Sequence, residues 1–123
     1  MANKPRKYKN NYTGISTNDV IGKINISKRV WMHLNCPQHI EFTCINHEKL
    51  KLSRGWSDDE HVGFVSKQGS GLAIFDADLV RWIYKQHNII RHDSTVMSPF
   101  YIAQYEYENG RPVVYIKMNN FAT

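Results

Sequence analysis

Cysteine is scarce in this chain, Cys36 and Cys44 being the two in 123 residues. Small secreted domains usually carry more, so a disulfide framework is excluded and a reducing, cytoplasmic setting is expected. Long apolar runs are missing as well. No stretch approaches the roughly 20 apolar residues of a membrane helix, and the basic first dozen residues have no apolar segment behind them of the kind a secretory signal needs. A protein without membrane association is expected. Phosphate-cradling glycine motifs are also absent. Gln68-Gly69-Ser70-Gly71 lacks both the spacing of a dinucleotide-binding loop and the Lys-Ser/Thr ending of a P-loop, and reads as a turn. His87, His92 and Asp93 near Arg91 supply the residue types of acid-base chemistry but no converging partners, and read as surface histidines. The expectation is a protein that is not an enzyme and takes no cofactor.

What is present fits one globular domain with a single core: 41% of residues are hydrophobic and 22% charged. The net charge of +5 is unevenly placed. Residues 1–14 carry Lys4, Arg6, Lys7 and Lys9 with no acid, which leaves the rest of the chain at only +1. Within that rest, residues 23–55 hold Lys23, Lys28, Arg29, Lys49, Lys51 and Arg54 against Glu41 and Glu48, while residues 56–110 are acidic. A basic arm and a dipolar body are suited to an anionic polymer at one end and a basic surface at the other. A solubilising mixed-charge surface with a tail has the same composition.

Residues 1–14 mix Lys, Arg, Asn and Tyr without apolar periodicity, which points to a flexible arm, and residues 15–123 to the folded domain. Ile24 and Ile26 alternate, Ser27 stands as a helix N-cap, and Val30 and Leu34 share a helical face until Pro37. Ile40, Phe42 and Cys44 then alternate as a strand. A turn at Asn46-His47-Glu48 pairs Cys44 with Leu50 and Phe42 with Leu52. Val62 to Ser66 and Leu72 to Phe75 read as further strands around the glycine turn. Asp76 caps a second helix, Ala77 to about His87, with Leu79, Val80, Ile83 and His87 on one stripe. Phe100 to Glu108 and Arg111 to Met118 form a hairpin about Asn109-Gly110, a type I′ turn pair. That register puts Tyr101, Ala103, Tyr105 and Tyr107 on the face of Val114, Ile116 and Met118, a core surface or a base-stacking platform. The fold class is α+β, a small, mostly antiparallel sheet able to close into a barrel, with two short helices.

Both halves run strand, polar cap, helix, hairpin. Ile24, Ile26, Ser27, Val30 and Leu34 match Ala73, Phe75, Asp76, Leu79 and Ile83 at an offset of 49, which suggests an internal duplication. The segment Gly22 to Gly55 resembles the strand, helical turn and hairpin of AbrB-type transition-state regulators, small swapped-hairpin DNA-binding proteins of bacteria in which two such units interlock. That family usually has a proline where this chain has Ser27, and a glycine-acid pair at Pro37-Gln38-His39. The resemblance implies that one chain with two units imitates the family's dimer, with the basic residues beside its first hairpin facing DNA.

Cys36-Pro37-Gln38-His39 and Cys44-Ile45-Asn46-His47 repeat a Cys-x-x-His spacing that could ligate zinc. An extended 40–44 segment would hold the pairs roughly 15 Å apart at about 3.3 Å per residue, so strand and zinc site exclude each other. The alternation favours the strand, and no metal is expected. Trp31 and Trp82 fall off the apolar helical stripes, and Trp56 leads into the acidic run Asp58-Asp59-Glu60. These six residues are candidate partner contacts. Lys4, Arg6, Lys7 and Lys9, with Tyr8 and Tyr12, are the leading candidates for nucleic-acid contact, followed by the six bases of residues 23–55. Two functional expectations follow. One is a binding module for nucleic acid or a nucleic-acid-containing complex. The other is an inhibitor of anti-CRISPR type, carried by a phage or mobile element, whose acidic half occupies a nucleic-acid-processing complex of the host.

Overall fold

The computed structural model describes residues 13–91 and 93–121. Its elements in chain order are β1 (Gly14–Asn18), β2 (Lys23–Ile26), α1 (Lys28–His33), β3 (His39–Asn46), β4 (Lys49–Arg54), β5 (Val62–Phe64), β6 (Ser66–Gln68), β7 (Gly71–Phe75), α2 (Ala77–Gln86), β8 (Tyr101–Glu108) and β9 (Arg111–Phe121). The strands form one sheet in the order β5-β3-β4-β9-β8-β1-β2-β7-β6, with antiparallel neighbours throughout. The segment expected as one strand, Val62 to Ser66, is β5 and β6 with a break at Val65. Its first half pairs with β3 and its second with β7, so a single stretch of chain links the two ends of the sheet into a nearly closed barrel. Gly63 permits this. A Cβ there would lie 2.6 Å from Ile74 Cγ2 of β7, so a larger residue would force the two edges apart.

The alternation expected from sequence builds the interior. Ile24 and Ile26, Ile40 and Phe42, Leu50 and Leu52, Leu72 and Ile74, and Val114, Ile116 and Met118 enter one core cluster with Val30 and Leu34 of α1 and Leu79, Val80, Ile83 and Tyr84 of α2. Each such side chain, fully buried, is worth about 1.5–3 kcal/mol. Both helices are capped as expected: Ser27 Oγ accepts from Val30 N at 3.3 Å and Asp76 Oδ1 from Leu79 N at 3.0 Å. Both hairpin registers hold, with Phe42 opposite Leu52, Cys44 opposite Leu50, and Glu108 opposite Arg111. The turn at Asn109 and Gly110 has positive φ at both residues, 53° and 78°, as a type I′ turn requires. The long hairpin is bulged near its far end, so Tyr101 pairs with Phe121 rather than Met118.

Three expectations need correction. His87 is buried rather than a surface residue, because α2 turns its stripe fully inward. Tyr107 shares the inward phase of its strand but is 68% exposed, since the hairpin tip outruns the core. The strand match at an offset of 49 holds for Ile24 and Ala73, both buried, but not for Ile26 and Phe75. Ile26 is buried while Phe75 is 54% exposed, and β7 instead sets Leu72 and Ile74 opposite Ile26 and Ile24.

β1 is buried along its whole length although Ser16, Thr17 and Asn18 are polar. A strap, residues 94–98, satisfies them. Asn18 Nδ2 donates to the carbonyls of Ser94 and Val96 at 2.9 and 2.7 Å, and its Oδ1 accepts from Val20 N and Ile21 N. Ser16 Oγ donates to Ser98 O at 2.6 Å, and Ser98 N donates to Thr17 O at 2.9 Å. The fully buried Asp19 carboxylate meets Arg91 at 2.7 Å. Among the described residues, no helix is long and apolar enough to cross a membrane.

Candidate nucleic-acid interface

The helix α1 is held at both ends. At its start, Ser27 Oγ also accepts from Gly14 N at 3.0 Å, and Ser27 N donates to Gly14 O at 3.0 Å, which ties the helix to β1. At its end, Asn35 and Cys36 take positive φ, and the Trp31 indole donates to Pro37 O at 2.9 Å. With Val30 buried, the rest of this short helix presents Lys28, Arg29, Met32 and His33 outward, as the i, i+4 spacing of 28 with 32 and 29 with 33 dictates.

This face and β8 border a shallow, open depression of about 510 Å³, lined by Lys28, Arg29, Met32, His33 and Tyr105. His33 sets the geometry. Its Nε2 lies 2.9 Å from the Glu106 carbonyl, which can only accept, so Nε2 carries the hydrogen and Nδ1 is left as an acceptor in the neutral ring. The imidazole meets Tyr105 and Tyr107 edge to face, each at 5.1 Å. The Arg29 guanidinium lies over the Tyr105 ring at 4.7 Å, and burial pushes that tyrosine's pKa up, so the phenol is neutral at physiological pH. Met32 is 56% exposed. Two cations, two rings and a thioether line the site, Tyr107 stands beside it against His33, and among the described residues no lining side chain is acidic.

The other expected contacts are scattered. Lys23 sits over the exposed Phe75 ring at 5.4 Å, and Lys49 over Tyr115 at 5.1 Å, directly across from Lys117 of β9. Lys51 is paired to Glu108 at 2.8 Å. Arg54 covers the exposed Trp56 ring at 4.8 Å. The structure thus brings together Lys28 and Arg29 but not the six bases as one patch. Lys4, Arg6, Lys7 and Lys9, with Tyr8 and Tyr12, lie outside the described residues, as does His92.

Among the expected partner contacts, Trp31 and Trp82 are partly buried against the core, Trp82 stacking on His61 at 3.6 Å. Trp56 is 59% exposed, and its loop is ordered by Asp59 Oδ2 accepting from Trp56 N at 2.8 Å. Asp58 and Glu60 are exposed beside it. Cys36 is exposed and Cys44 half-buried, and they stand on either side of the extended β3 start. Among the described residues, no group of three or more His, Cys, Asp or Glu side chains is placed to hold a metal. Tyr107 belongs to the strand face expected as a core surface or a base-stacking platform, whereas His33 and Met32 were not singled out by sequence patterns. The pairings of 28 with 32 and of 29 with 33 at i, i+4 are the signal that would have found those two. No protein family, curated protein or solved structure matches the chain.

Proposed function

We propose that this protein is a non-enzymatic binding module for nucleic acid, alone or within a nucleic-acid-containing complex. The observation that carries this reading is the depression beside α1, where Lys28 and Arg29 stand next to Tyr105 and His33, with Tyr107 at its edge and no acidic lining side chain among the described residues. Cations meet phosphates and rings meet base faces, and the two are needed side by side. The test is fluorescence anisotropy with labelled mixed-sequence DNA and RNA at low salt. Binding that is lost in the charge reversal Lys28→Glu/Arg29→Glu supports the reading. Absence of binding overturns it, and binding indifferent to that reversal overturns the placing of the contact beside α1.

Within this reading, an AbrB-like regulator built from a duplicated unit is supported by the antiparallel pairing of β2 with β7 and of β4 with β9, corresponding strands of the two halves. A second reading, an inhibitor of anti-CRISPR type, draws on the loop at Trp56, where an exposed, ordered indole stands among Asp58, Asp59 and Glu60. A pull-down from bacterial lysate with and without nuclease separates the two. Partners lost with nuclease favour nucleic acid. Partners retained with nuclease, but lost in Trp56→Ala, favour inhibition. A cytoplasmic setting accompanies either reading.

A further inference from the structure

We infer that the depression beside α1 takes an unpaired nucleotide, so that the protein binds single strands in preference to the matching duplex. The inference rests on the nucleic-acid reading and narrows it. The shape of the site is its first ground. Readers of duplex push a helix or ribbon outward into a groove. Here α1 is only six residues long and packs beside β8, and its outward side chains border a hollow rather than a ridge. A base inside a duplex has both faces covered by its neighbours and cannot enter a hollow, whereas an unstacked base can.

The chemistry in the hollow and at its edge, where Tyr107 stands against His33, agrees with this. Tyr107 at 68% exposure and Met32 at 56% offer uncovered apolar surface, and the edge-to-face contact with His33 holds the tyrosine ring in place without covering it. Stacking on such a ring is available to any unpaired base. His33 Nδ1 provides a hydrogen-bond acceptor beside the ring for an exocyclic amine, a group that base pairing would otherwise occupy. Lys28 and Arg29 flank the hollow where the backbone phosphates on either side of an inserted nucleotide would run.

The experiment measures the affinity of the full chain for one labelled oligonucleotide, single-stranded and annealed to its complement, at the same salt. The same pair is then measured with Tyr107→Ala, an exposed position whose loss leaves the thermal midpoint near that of the parent. The expected result is tighter binding of the single strand, with a loss of about 5- to 150-fold for that ligand in the variant and little change for the duplex. Equal or tighter duplex binding overturns the inference while leaving the nucleic-acid reading, and favours the AbrB-like form of it. Single-strand preference that survives Tyr107→Ala also overturns it, since the preference would then arise elsewhere. Binding of neither ligand overturns the reading on which the inference rests.

Discussion

The His87 ring reaches the backbone of His47, its Nδ1 donating to His47 O at 2.8 Å, and the His47 ring bonds in turn to the residue before His87, its Nδ1 donating to Gln86 O at 3.1 Å. The pair fastens the end of α2 to the β3–β4 turn, two elements about 40 residues apart in sequence. Burial holds the His87 pKa below its ordinary 6.5, and its Nε2 is buried with no hydrogen-bond partner among the described residues.

Stability should therefore fall on acidification. Above about pH 6.5 both folded and unfolded chains carry a neutral His87, and its contribution is fully present. As the pH drops below that value the unfolded chain takes up a proton that the folded one refuses, and the loss continues until the lower folded pKa is passed. Urea midpoints between pH 5 and pH 8 should show a decline that is smaller in His87→Asn, whose amide can still donate to His47 O. An identical decline in the variant would place the sensitivity elsewhere.

Glu108 accepts from Lys51 and from the Tyr115 hydroxyl. Lys51 holds the carboxyl below its ordinary range, and the bond to that carboxylate pushes Tyr115 up to about 12. In Glu108→Gln the negative charge is gone, and Tyr115 should titrate back toward 10. Tyr101, pushed to about 12 mainly by burial, should stay late. Tyrosinate absorbance followed against pH, with circular dichroism to confirm the fold, reads both. An unchanged titration in the variant would refute the assignment.

Asn18 is the knot that binds the 94–98 strap to β1, since its fully buried side chain makes four hydrogen bonds to backbone groups. Asn18→Ala leaves those groups unpaired and should cost about 2–4 kcal/mol in denaturant unfolding. A loss under about 1 kcal/mol would mean that water replaces the side chain easily.

The strap also marks where sequence reading fell short. Ile40-Glu41-Phe42 and Tyr105-Glu106-Tyr107 announce strands because their apolar residues alternate, and Ser27 and Asp76 announce helix starts because a side-chain oxygen precedes an apolar stripe. β1 gives no such sign. Ser16, Thr17 and Asn18 are buried only because a loop some 80 residues later brings the partners that make burial tolerable. The candidate interface was half legible. Lys28 and Arg29 stood out by charge, but Met32 and His33 gain meaning only once β8 is packed beside α1. Tyr107 reads as inward by phase, and no periodicity tells where a hairpin leaves its core.

The central claim is that Lys28 and Arg29 contact nucleic-acid phosphates beside α1, and the salt dependence of binding tests it most directly. Two phosphate contacts on a single strand contribute about 1.4 to the log-log slope, at about 0.7 each. The account predicts that Lys28→Gln/Arg29→Gln flattens the slope by about that amount, and that deletion of residues 1–12, which removes Lys4, Arg6, Lys7 and Lys9, flattens it separately and additively. A slope unchanged by the α1 substitutions and abolished by the deletion would contradict the account and assign the contact to the arm.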